Sequence, residues 1–305
     1  MDGLGRLVHT LAPSGTVDLH CRFAAPWVLE HTTSPPDELP YHVILEGRAW
    51  LEIDNQQRLI EGGDVLLFPY GAPHILRSSA DSVLDASASE VERRSFNGLV
   101  TLIERPGDGE VIDMLCGRFL LSGGADALWA GLPSVLHVRS NEREPLLALI
   151  GLLRGETATP RPGGQAVINV LSTALFTFVL RGMATEERWQ AGILGLLAEP
   201  HLASVVDAVL KLPANDWTLP KLADLAHTSR ASFIRHFVKA SGLKPMEWVV
   251  GVRLAHAARL LRQGRLSAGR VAEQSGYASE AAFGRAFKAR HGLTPGAYRR
   301  LHAES

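Results

Sequence analysis

Residues 229–245, SRASFIRHFVKASGLKP, return at an offset of 50 as SEAAFGRAFKARHGLTP, residues 279–295. Ser229/Ser279, Ala231/Ala281, Phe233/Phe283, Arg235/Arg285, Phe237/Phe287, Gly242/Gly292, Leu243/Leu293 and Pro245/Pro295 coincide. Such an internal repeat requires two like substructures. In each copy the serine is placed to cap a helix, and the two phenylalanines four residues apart share its core-facing side. The arginine midway between them falls on the far side, toward solvent or a ligand. Gly-Leu-x-Pro then ends the helix and starts the next element. A shorter amphipathic segment precedes each copy, TLPKLADLAH (218–227) and SAGRVAEQSG (267–276), with Thr218 and Ser267 as caps. Helix, tight turn and capped second helix is the helix-turn-helix plan, whose second helix enters the major groove of DNA. PMEWVVGVRLAHAARLLRQG (245–264) reads as a long helix joining the two units.

The charge distribution agrees with a polyanionic partner. From Thr218 to Ser305 there are 15 Lys and Arg against 5 Asp and Glu, leaving 16 against 27 in the rest of the chain. The near-zero net charge of -1 thus averages an acidic body and a basic tail. A plain helical bundle explains neither this segregation nor the matched arginines.

WTLPKLADLAHTSRASFIRHFVKASGLKPMEWV and RVAEQSGYASEAAFGRAFKARHGLTPGAYRR resemble the DNA-binding domain of AraC/XylS-type transcription regulators over about His201 to Arg300. The resemblance implies two helix-turn-helix units reading successive major-groove segments on one face of double-stranded DNA. By position, the reading helices are 229–240 and 279–290. Arg235 and Arg285 are then the candidates for contact with bases or adjacent phosphates, since arginine pairs bidentately with guanine. Ser229, Arg230, Ala231, Ile234, Ser279, Glu280, Ala281 and Gly284 share the exposed first turns. Ala and Ile suit thymine methyl groups, whereas Gly284 offers no side chain. Lys239 and Lys288 suit phosphates, contributing affinity more than specificity.

The first 138 residues have a different texture. YHVILEGRAWLEI (41–53), QRLIEGGDVLLFP (57–69) and HILRSS (74–79) are short β runs divided by turn signals. They predict a small antiparallel barrel or sandwich. GDVLLFPYGAPH (63–74) resembles the second signature segment of cupin barrels, through Gly63, Pro69, Gly71 and His74. Gly47 resembles the glycine that closes the first segment. The resemblance implies two histidines and an acid there as metal ligands, but Pro35, Pro36 and Pro40 occupy those places. A metallo-cupin enzyme needs at least three protein ligands, so catalysis is not expected.

HCRF (20–23), YHVILEG (41–47), PYGAPH (69–74) and LCGRF (115–119) further resemble AraC-type regulators with cupin-like sensors, among them regulators of the reactive-chlorine response. Cys21, His42, His74 and Cys116 are therefore candidate ligands of a zinc site, or Cys21 and Cys116 are redox-sensing thiols. The bland alternatives are buried cysteines, core histidines and a dry effector pocket.

Between these parts EPLLALIGLLRGE, GGQAVINVLSTALFTFVLRGM and EERWQAGILGLLAE carry apolar residues at helical spacing. The apolar run Ala166–Leu180 is shorter than a bilayer span and contains Asn169, Ser172 and Thr173, so it predicts a buried helix or a dimer interface. MDGLGRLVHT has no basic region followed by an apolar core, and two cysteines make no disulfide scaffold. Together these predict an α+β multidomain protein of the cytoplasm. Residues 1–140 form a cupin-like antiparallel β-barrel sensor, 141–200 a helical connector that dimerises, and 201–305 an all-α double helix-turn-helix domain. The expected partners are DNA, a small-molecule, metal or oxidant effector, RNA polymerase if the protein activates, and a second copy. The rival readings are an effector-insensitive DNA-binding protein and a metallo-cupin enzyme with a helical appendage.

Overall fold

The computed structural model describes residues 2–35, 38–80, 92–121, 132–139, 144–184 and 192–303. Eleven strands are defined among these: β1 (Ser14–Ala24), β2 (Val28–His31), β3 (Glu38–Glu46), β4 (Arg48–Ile53), β5 (Gln56–Glu61), β6 (Asp64–Leu67), β7 (His74–Arg77), β8 (Arg93–Phe96), β9 (Thr101–Arg105), β10 (Val111–Leu120) and β11 (Leu136–Arg139). They form a seven-stranded sheet in the order β11-β6-β3-β10-β1-β9-β8 and a four-stranded sheet in the order β2-β7-β4-β5. Both sheets contribute to one core, which includes Phe23, Ile44, Leu51, Phe68, Leu76 and Met114. The β1/β9 pairing is parallel, a departure from the all-antiparallel expectation.

The run 41–53 is two strands rather than one, β3 in the seven-stranded sheet and β4 in the four-stranded sheet. It breaks at Gly47, whose φ of +85° lies in the left-handed region and where an added Cβ would stand 2.3 Å from the Val111 carbonyl oxygen. The cupin-like glycine is therefore there for backbone geometry.

Two helices follow the strands, α2 (Glu144–Ala158) and α3 (Gly164–Ala184). In β10 the alternation is masked because both faces are covered: Met114 and Cys116 join the inter-sheet core, while Phe119 packs on Phe176 of α3, ring centroids 5.0 Å apart. At Gly15 an added Cβ would lie 2.4 Å from Cβ of Ser172, so α3 approaches the backbone of β1 closely. α3 runs 21 residues, within one residue of the helical segment GGQAVINVLSTALFTFVLRGM, and is long and apolar enough to cross a membrane. Its Ile168, Ser172, Leu175, Phe176 and Val179 are fully buried, as in the core helix of a globular domain.

The remaining helices form a second compact unit. α1 (Gly3–Leu11) is capped by Asp2, whose Oδ1 accepts from the Gly5 amide at 2.7 Å. After it come α4 (Gly192–Ala198), α5 (Pro200–Lys211), α6 (Leu219–Leu225), α7 (Arg230–Ser241), α8 (Pro245–Arg262), α9 (Ala268–Gln274), α10 (Glu280–His291) and α11 (Pro295–Ala303). Residues 186–191 of the segment EERWQAGILGLLAE lie outside the described residues, as does Pro36.

Compactness divides the chain differently from the three-part expectation. Ser14–Leu120 and Pro133–Gly182 form one unit, so the connector helices α2 and α3 belong with the sheets. The first helix belongs with the C-terminal helices. There Leu7 and Leu11 are buried, and Arg6 makes a two-pronged ion pair with Asp207 of α5. A boundary at 140 falls outside the described residues.

Candidate DNA-reading face and buried histidine cluster

Each expected reading helix has the start and stop its sequence specifies. Ser229 Oγ accepts from the Ser232 amide at 3.3 Å and Ser279 Oγ from the Ala282 amide at 3.2 Å. Thr218 and Ser267 cap α6 and α9 in the same way. α7 and α10 end at Gly242 and Gly292, with φ of 75° and 69°. The phenylalanines are fully buried. Phe237 meets Trp248 of α8 at 5.7 Å, and Phe287 meets Tyr298 of α11 at 5.3 Å. Burying that face leaves the opposite one in solvent.

Ser229, Arg230, Ala231, Arg235 and Lys239 of the first unit are exposed, as are Ser279, Glu280, Ala281, Arg285 and Lys288 of the second. Ile234 and Gly284 are half-buried at the margins. Among the described residues, Arg235 makes one weak local hydrogen bond, Nη2 to Ser232 Oγ at 3.4 Å. A Cβ at Gly269 of α9 would lie 2.9 Å from Glu280 Oε2, so this carboxylate sits against α9. His236, exposed beside Arg235, was missed from sequence although helical spacing places it there.

In the sheet unit, strand register brings the candidate sensor residues together. His42 of β3 lies directly across from Cys116 of β10, with Nδ1 3.0 Å from Sγ. His42 Nε2 lies 2.9 Å from His74 Nε2. Cys21 of β1 pairs with Met114, two residues from Cys116, and its thiol neighbours that of Cys116. Cys21, Cys116, His42 and His74 thus form one chain of contacts.

They do not converge as four ligands of one ion. Cys116 meets His42 at Nδ1 and His74 meets it at Nε2, on different edges of the ring. Among the described residues, the group whose ligand atoms all lie within 4.8 Å of one another is His31, His42 and His74. His31 escaped sequence reading because it matches no motif. Only register reveals it, since β2 sets it directly across from His74 of β7. Its ring stacks on His74 at 4.6 Å and tilts against His42 at 4.7 Å. Phe68 covers the other face of His74 at 3.7 Å.

Electrostatics keep the cluster uncharged. Burial, reinforced by His31 and His74, holds His42 well below the ordinary imidazole pKa. Burial brings His74 down to about 4, opposed by its bond to the Ala72 carbonyl, and lowers His31 too. The Cys116 thiol is pushed well up by the neighbouring Cys21 thiol and by burial. At neutral pH the rings offer lone pairs and Cys116 stays protonated, which suppresses its nucleophilicity.

Comparison with known proteins agrees with both halves. A cupin family model matches residues 2–185, and a helix-turn-helix domain model matches 222–301. An uncharacterized HTH-type transcriptional regulator of Haemophilus influenzae is 32% identical, covering 98% of this chain and 99% of that protein. The RCS-specific HTH-type transcriptional activator RclR of Escherichia coli is 31% identical, covering 98% and 97%. The HTH-type transcriptional regulator MtrA of Neisseria gonorrhoeae is 30% identical, covering 98% of each chain. A cupin domain ahead of two capped helix-turn-helix units places the chain in the AraC-type family of DNA-binding transcription regulators, and not among cupin enzymes.

Proposed function

We propose that the protein reads its operator with the exposed sides of α7 and α10, and that the cupin domain sets how strongly it does so. Arg235 and Arg285 make the base or adjacent phosphate contacts. Lys239 and Lys288 add phosphate contacts, which hold the helices in register without reading sequence. The observation that carries this reading is the matched pair of solvent-facing arginines, each opposite a buried Phe-x3-Phe pair in the basic third of the chain. The test is DNA binding across a salt series by the intact chain and by Arg235→Ala and Arg285→Ala variants. The reading requires each substitution to weaken operator binding while leaving the fold intact.

In this reading the protein acts in the cytoplasm as a homodimer, contacting RNA polymerase where it activates. Val170 of α3 and Leu152 of α2, 70% and 59% exposed, are suited to a subunit contact. Sedimentation of a Val170→Glu variant checks this directly. Control by the sensor is a coupling free energy, which requires the effector to bind two DNA-presenting states unequally.

A second reading makes the effector an oxidant acting on Cys21 and Cys116. Their neighbouring thiols and the RCS-specific relative both favour it. Because both thiols are buried, this reading requires the cupin domain to open before oxidation. An oxidant effect on DNA binding that disappears in Cys21→Ser and Cys116→Ser would support it.

A further inference from the structure

We propose that His31, His42 and His74 form a three-imidazole site for a divalent transition-metal cation of the zinc class, distinct from a Cys2His2 site. The ligand atoms are within 4.8 Å of one another, and the three rings come from β2, β3 and β7, so the site spans both sheets. His74 Nδ1 lies 2.8 Å from the Ala72 carbonyl, to which it must donate. That bond fixes the tautomer and leaves His74 Nε2 as a bare lone pair directed at His42. Among the described residues, His31 Nε2 is buried without a hydrogen-bond partner, a cost that a ligand to this atom would remove. His42 turns Nε2 toward the site while Nδ1 faces Cys116; when a metal takes Nε2 the ring proton resides on Nδ1, which then donates to Cys116 Sγ as the outer-shell partner.

Three nitrogens around a tetrahedral ion at about 2.1 Å stand about 3.4 Å apart. The 2.9 Å between His42 and His74 therefore opens only slightly on binding. The set is not the cupin arrangement, which His74 alone matches. The prolines that remove the usual ligands leave a different trio, on β2 and β7 of one sheet and β3 of the other. Three protein ligands leave the fourth position to water or to a small anion.

The test uses the untagged full chain with Co2+ as a spectroscopic probe and Zn2+ as competitor. One equivalent of Co2+ should bind, giving visible ligand-field bands without a sulfur-to-cobalt charge-transfer band. Zn2+ should displace it, and the melting temperature should rise on binding. His31→Gln and His74→Gln should weaken binding by about 100-fold or more, and Cys116→Ser by no more than the roughly tenfold loss of an outer-shell partner. His31 is half-buried at a strand end, so its variant keeps the test sound even if a His42 variant fails to fold. Three results would each overturn the proposal: no stoichiometric binding, a charge-transfer band lost in Cys116→Ser, or full affinity in folded His31→Gln.

Discussion

Replacing Arg235 with alanine separates a reading residue from a merely structural one. The side chain is exposed and its recorded contact, to Ser232 Oγ at 3.4 Å, is long. Its loss should therefore change folding stability by no more than about 0.5 kcal/mol. A bidentate arginine–guanine pair is worth about 1–3 kcal/mol, so operator affinity should fall by about 5- to 150-fold. The assay is a titration of labelled operator over a salt series, with thermal melting alongside. If Arg235 reads a base, discrimination at one operator position should collapse with little change in salt slope. If it holds a phosphate, the slope should fall by about 0.9 and all sequences should weaken alike. Unchanged affinity in a variant that melts like the parent would refute the assignment of α7 as a reading helix.

Other consequences follow from single contacts. Ser279→Ala removes the acceptor for the Ala282 amide and should cost about 1 kcal/mol, read as a lowered melting temperature of the C-terminal unit. Gly15→Ala pushes a methyl group against Ser172 and Phe119 and should destabilise the sheet unit by about 1–3 kcal/mol, measurable by denaturant titration. His256 on α8 is held at about 4 by burial, with Arg259 and His9 adding repulsion. Its folded pKa lies below its unfolded value, so its stabilising contribution is complete above about pH 6.5 and is lost as pH falls toward 4. The slope in that window is at most about 1.4 kcal/mol per pH unit, and it should be shallower in His256→Gln.

The DNA-reading unit was legible because its determinants are local. A capping serine, phenylalanines at i and i+4, and a left-handed glycine act within one helix, and the repeat displays them twice. The sensor was only half legible. GDVLLFPYGAPH located His74, and the strand runs located β3 to β7, five of the eleven described strands. However, the His31–His74 and His42–Cys116 pairings exist only through register across strands far apart in sequence. The parallel β1/β9 pair was hidden for the same reason. The apolar circumference of α3 left its partner undetermined until Phe119 and Gly15 appeared beneath it. Docking of α1 rests on Arg6 meeting Asp207, a pairing 201 residues apart that no local pattern announces.

The most direct test of the central claim is base-resolved interference mapping of the full chain on an operator obtained by in vitro selection. Two reading helices joined by α8 predict two interference clusters in successive major-groove segments, about 10 base pairs apart on one face. Arg235→Ala should erase one cluster and Arg285→Ala the other. A single cluster, or a pattern that neither substitution changes, would contradict the account.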